Sequence, residues 1–377
     1  MTKTKTIRRV FGACLATVLI AGLVLGAGAT KALGEPEITR VTASSNFPGS
    51  ITFVLEAQAT STITDIRLHY RVERDCYARV VSEAKPVFAP ASQVNVSWVW
   101  DMRQSGGLPP GAEVEYWWTV RDINGRVASS APEFFIFTDT RFTWQQIVRD
   151  NLTMNWYGNN GAKVQTLLTA SLAGLSELSE KTGAHLVRPV QVYVYANTRA
   201  MQEAMMFPQE WTGAVTYTDQ STILIGLADD WDWNEKTMVH ELAHMVSYQM
   251  TRGPYSSVPV WLSEGFSMYA EGPPNLYIIS SLVSALNDGY TITVRSLSGP
   301  FSADSGRSYL SYAQSYSFVD YLVANYGQEQ MLALLTVFAR GADYDGALLE
   351  VYGFDMDGLY ENWLEYALNK YVLGVTV

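Results

Sequence analysis

The hydrophobic period of this chain changes once, near residue 140, and that change limits the fold to two unlike halves. From Glu37 to about Thr138, apolar residues recur at every second position. Ile66, Leu68, Tyr70 and Val72 alternate with Arg67, His69 and Arg71; Val114, Tyr116, Trp118 and Val120 alternate with Glu115, Trp117 and Thr119. A period of two marks half-buried strands of an antiparallel sheet. Turn residues separate them: Leu108-Pro109-Pro110-Gly111 precedes one strand, and Asp122-Ile123-Asn124-Gly125 closes a hairpin. About seven such strands in roughly 100 residues predict a β-sandwich of immunoglobulin or fibronectin type over 36–140.

Past Phe137-Thr138-Asp139-Thr140 the period becomes helical. Val164, Leu167, Leu168, Leu172, Leu175 and Leu178 outline a long amphipathic helix stopped by Gly183. The stretches from Val190 to Tyr195 and from Thr222 to Ile225 read as strands. A helix follows from near Asn234, and the chain beyond Tyr312 is mostly helical with breaks at Gly327 and Gly341. An α+β domain is therefore expected over 141–377.

The helix after Asn234 carries His240-Glu241-Leu242-Ala243-His244. Histidines four apart lie one turn above each other on one helix face, so both imidazoles reach one metal ion. Glu241, between them, faces a water held by that ion, whose pKa falls toward ~7 on zinc. A carboxylate in reach can take that proton and pass it to a leaving amine. This is the spacing of zinc metalloproteases. A hydrolytic site needs a third protein ligand and an open fourth position. Glu264, in Trp261-Leu262-Ser263-Glu264-Gly265-Phe266, lies twenty positions after His244, enough chain to close one helix and start another against it. Its apolar neighbours would make a buried carboxylate costly without a partner.

The run from Val239 to Glu271 resembles gluzincin metallopeptidases, and the Trp-Leu-Ser-Glu-Gly-Phe stretch is most similar to the aminopeptidase N branch and its peptidase MA-like relatives. The resemblance covers roughly Phe142 to Val377, with specific motifs only from Gly213 to Tyr321. It implies His240, His244 and Glu264 as ligands of one Zn2+ and Glu241 as general base. It also implies a later helix whose tyrosine stabilises the tetrahedral intermediate; matching Tyr312 to Leu322 to that helix places the residue at Tyr312, between Tyr309 and Tyr316, with Ser315 where the family often has glycine. A phenol donor complements zinc at a developing oxyanion. The chain departs from the aminopeptidases at Gly213-Ala214-Val215-Thr216-Tyr217-Thr218, which lacks the acid that reads a substrate's free amine. Gly213 and Ala214 are expected to admit substrate backbone along a strand edge. The resemblance thus implies a peptide or protein substrate without aminopeptidase specificity, unless Glu271, two turns beyond Glu264, supplies the amine anchor.

Net charge is −11, and no basic cluster follows residue 40. That excludes nucleic acid as a partner and disfavours anionic membrane surfaces. Lys3, Lys5, Arg8 and Arg9 precede an uncharged run from Val10 to Thr30 in which Ala27-x-Ala29 fits a signal-peptidase site, with Ala32 as a second position. Residues 1–32 are therefore expected to be a signal peptide, or an uncleaved membrane anchor, since the run is also long enough to span a bilayer. The mature protein is expected to be secreted or at the cell surface. Cys14 falls in this run, which leaves Cys76 alone and rules out an internal disulfide in the mature chain. The leading expectation is an exported zinc peptidase; the rival is a cell-surface binding protein whose catalytic site has decayed. Decay would erase Glu241 first, because it serves catalysis and not coordination.

Overall fold

A computed structural model of the chain describes residues 34–74, 79–210, 212–302 and 304–374. The expected export segment and Cys76 lie outside these residues. Among the described residues, no helix is long and apolar enough to cross a membrane.

The first half contains β1 (Glu37–Asn46), β2 (Ser50–Val72), β3 (Ser82–Ala84), β4 (Ala91–Asp101), β5 (Ala112–Asp122), β6 (Val127–Ser129) and β7 (Glu133–Phe137), all paired antiparallel. The period of two holds: Ile51, Phe53, Leu55, Ile66, Leu68, Val114, Trp118 and Val120 are fully buried. One difference from the expected pair of sheets comes from β2. Its first part, to Gln58, pairs with β1 and β4, and the part after Ile63 pairs with β5 and β3. A single strand of 23 residues thus joins both groups into one seven-stranded hydrogen-bonded sheet around a common core. A register shift between Ile63 and Asp65 lets Ile63 and Ile66 both point inward, although they stand three apart. The expected hairpin joins β5 to β6: Asp122 Oδ1 accepts from the backbone N–H groups of Asn124 and Arg126, and Gly125 takes φ +82°.

The second half is built on a five-stranded sheet of β8 (Trp144–Arg149), β9 (Leu152–Tyr157), β10 (Val190–Tyr195), β11 (Ala214–Tyr217) and β12 (Thr222–Gly226), in the order β11-β12-β10-β9-β8. The inner three strands run parallel, while β11 and β8 are antiparallel edges. One face, with Val190, Val192, Val194, Ile223 and Ile225, packs under helices. The other face, with Tyr193, Tyr195 and Leu224, joins the core of the β-rich half.

The helices are α1 (Gly161–Thr182), α2 (Thr198–Gln202), α3 (Trp231–Thr251), α4 (Val260–Ala270), α5 (Leu276–Asp288), α6 (Ser305–Ala339), α7 (Tyr344–Tyr352) and α8 (Met356–Ala367), and of these α2 alone sits with the β-rich half's core, through Met201. α1 ends at Gly183 with φ +73°, as its glycine stop predicts. α3 starts three residues before Asn234, because Asp230 caps it by accepting from the Trp233 N–H. α6 breaks at Gly327, φ +81°. α4 lies so close to α6 that a Cβ on Gly265 would stand 2.2 Å from the Ser315 carbonyl oxygen. This explains the glycine after Glu264 in packing terms.

Candidate metal centre

α3 buries Met238, Leu242, Ala243, Met245 and Val246. His240, Glu241 and His244 fall on its more open side. α4 buries Trp261, Leu262, Phe266 and Met268 in the same way, which leaves Ser263 and Glu264 turned out between them. Where the two open faces meet, donor atoms converge. His240 Nε2 and His244 Nε2 stand 3.1 Å apart, and Glu264 Oε2 lies 3.6 Å from the first and 3.7 Å from the second. Among the described residues, His240, His244 and Glu264 are the group of His, Cys, Asp or Glu donors that could hold a metal ion.

The triangle fits a small tetrahedral ion. Ligands at roughly 2.1 Å from zinc in tetrahedral geometry are separated by about 3.4 Å, and the three edges bracket that value. The partners behind the imidazoles agree. His240 Nδ1 donates to Glu271 Oε1, a carboxylate that can only accept, and His244 Nδ1 lies 3.2 Å from Ser263 Oγ, which can accept from it. With its proton on Nδ1, each imidazole would offer the Nε2 lone pair to an ion. Charge agrees too. Burial opposes the charged form of His240, yet Glu264 and Glu271 outweigh it and raise its pKa. Burial, then the adjacent His240 charge, lowers that of His244. Burial alone would raise the Glu264 carboxyl, but its hydrogen bond to His240 and the charges of both histidines hold it below its ordinary value. Three carboxylates around two imidazoles make a pocket that attracts a cation.

Glu241 stands beside this triangle, on the wall of a cleft of about 530 Å³ that also exposes Ala214, Thr216, His244 and Glu264. Thr216 Oγ1 donates to Glu241 Oε2 at 2.6 Å. Tyr312 is half-buried, its ring edge-on to Phe301 at 5.2 Å. Burial first, then Glu264, Glu241 and Glu271, push its phenol up to about 12, so it stays a proton donor at neutral pH. A second hollow, of about 690 Å³, lies between α5 and the start of α6 and holds none of the donor residues.

Two sequence expectations read differently in the fold. Gly213 does not open onto the cleft: a Cβ there would meet the Trp233 ring at 2.5 Å, so its bareness serves packing, while Ala214 does line the cleft. Glu271, considered as an amine anchor, is engaged by His240 instead. The roles of Ser263 and Thr216 had no signal in the sequence, because they depend on contacts 19 and 25 positions apart.

A family model of the Peptidase MA superfamily matches residues 170–369, more than half of the chain. No curated protein matches. Among solved structures, an M1 zinc metallopeptidase from Deinococcus radiodurans is similar at 14% identity, over 92% of this chain and 96% of that one, with a TM-score of 0.37. A catalytically inactive OgpA from Akkermansia muciniphila, in complex with an O-glycopeptide, is similar at 15% identity over 28% of this chain and 29% of that one, with a TM-score of 0.22. A β-1,3-glucan binding domain of carbohydrate-binding module family 56 is similar at 17% identity over 27% of this chain and 98% of that one, with a TM-score of 0.16.

Proposed function

The chain belongs to the Peptidase MA superfamily, and from that premise we propose that it is an exported zinc-dependent peptidase that cleaves peptide bonds without anchoring a free N-terminus. The observation that carries this reading is the convergence of His240, His244 and Glu264 beside Glu241 on the wall of one cleft. A zinc ion bound by these ligands supplies Lewis acidity, activating a water and polarising the scissile carbonyl.

The chain's own residues do the rest. Glu271 and Ser263 hold the two imidazoles in the ligating tautomer. Glu241 takes the proton of the attacking water and delivers it to the departing nitrogen. Tyr312 donates its phenolic proton in a hydrogen bond to the oxygen that gains charge. Among the described residues β11 is an edge strand, paired only with β12, and its free edge accepts a substrate backbone as an added strand. Its cleft-facing residues Ala214 and Thr216 carry no charge. This supports action on internal bonds and on peptides with a blocked amine.

Three measurements on the purified protein test the reading. Metal analysis should find one zinc per chain, and Glu241→Gln should keep that zinc while hydrolysis of a peptide library falls to background; an unchanged rate would sink the mechanism. A free peptide and its N-acetylated form should be cut at similar rates. Strong preference for the free amine would show that an anchor exists.

A further inference from the structure

We propose that Thr216 is a positioning residue for Glu241: its hydroxyl fixes the carboxylate so that one oxygen is tied back and the other is left for the attacking water. The inference rests on the peptidase reading above.

A glutamate on an open helix face turns about several side-chain bonds, and a general base must be held to within a fraction of an ångström to act. Glu241 has one such restraint among the described residues. Thr216 Oγ1 lies 2.6 Å from Glu241 Oε2 and 3.1 Å from the Glu241 carbonyl oxygen. A hydroxyl has one hydrogen, and the shorter contact, to the charged acceptor, takes it. Among the described residues, no partner engages Glu241 Oε1.

The donor is itself rigid. Threonine is branched at Cβ and stiff at χ1. It sits in β11, whose flanking residues Val215 and Tyr217 point the opposite way and pack against the core shared with the β-rich half. β11 also pairs with β12 through a register that includes Thr216 opposite Ile223. The strand that supports the base is the same strand whose free edge receives substrate. Any shift of the bound peptide along β11 therefore displaces the scissile bond from a base held by that very strand. The geometry ties substrate register and base orientation to four residues.

The test compares the wild-type, zinc-loaded full chain with Thr216→Val, which keeps the shape and removes the hydroxyl, and Thr216→Ser, which keeps the hydroxyl. Loss of an outer hydrogen-bond partner of this kind lowers activity by about 10- to 100-fold. That drop is expected in kcat for Thr216→Val, with KM and zinc content within about twofold of wild type, and Thr216→Ser should restore most of it. A purely structural threonine would show its loss in thermal stability or zinc content and not in kcat alone. Wild-type kcat in Thr216→Val, or a serine variant as poor as the valine variant, overturns the proposal. If the wild type cleaves no peptide, the peptidase reading fails instead, and the contact is read without activity. A double-mutant cycle of Thr216→Val with Glu241→Ala in denaturant unfolding should then show a coupling of about fivefold or more in the unfolding constant, and additive effects would overturn the assignment.

Discussion

Glu271 never touches the metal position, yet it decides which nitrogen of His240 is free to do so. Its carboxylate accepts from Nδ1, which fixes the tautomer and raises the basicity of the ligating nitrogen. Glu271→Gln keeps a hydrogen-bond acceptor but removes a charge, so zinc affinity should fall by about 10- to 100-fold, with secondary structure intact. Titration with a competing chelator measures it, and an unchanged affinity would make Glu271 a bystander. At this scale the proposed ligand set, whose donor atoms converge in the fold, was readable from the chain. His240 and His244 are related by helix geometry alone, and Glu264 sits in its own local motif. The supporting residues were not readable. Glu271 lies 31 positions from His240 and Thr216 lies 25 from Glu241, and no periodicity links positions on different elements.

Among the elements, the packing of α4 on α6 sets where Glu264 points. Gly265 faces the Ser315 carbonyl with no space for a Cβ, so Gly265→Ala must push the helices apart or turn α4. Overpacking of this kind costs about 1–3 kcal/mol. Because the displaced helix carries the proposed ligand Glu264, zinc content should fall together with the unfolding midpoint. Denaturant unfolding with and without added zinc checks this: a variant that loses stability but keeps full zinc would separate packing from ligand placement. Long periodic elements such as α1 and the alternating strands β2 and β5 were legible from sequence. β8 and β9 were not. β9 lies inside the sheet and buries Thr153 and Asn155 along with Leu152 and Met154, so it shows neither an apolar run nor alternation. Asn155 is satisfied there by donating to Gln191 Oε1 and to the Val192 carbonyl. β8 is largely exposed and has no apolar face to betray it.

For the whole molecule, the two halves visible in the hydrophobic period are not independent. Every proposed metal ligand lies after residue 210, which on sequence grounds predicts that removing Glu37–Thr138 leaves a folded, zinc-binding remainder. The shared core reverses that expectation. Tyr195, Met201, Ala204 and Leu224 are buried in one cluster with Phe53, Trp118 and Phe137 of the β-rich half, and Tyr193, Val215 and Tyr217 pack against it. Asp139, fully buried at the junction, is held by Arg141 and by the Tyr195 hydroxyl at 3.0 Å. The sequence hides this face because parallel strands covered on both sides read as continuous apolar runs, with no sign of what covers each face. Removing the β-rich half would strip one side of the five-stranded sheet and expose an aromatic surface of the kind that drives aggregation. It would also free the buried side of β11, the strand that holds Thr216 against Glu241. The truncated chain should therefore be insoluble, or soluble with sharply reduced zinc content and a collapsed kcat. Expression of residues 139–377 with metal analysis of the soluble fraction decides it. A soluble, zinc-replete, fully active remainder would make the β-rich half a dispensable appendage and remove its role as the buttress of the catalytic strand.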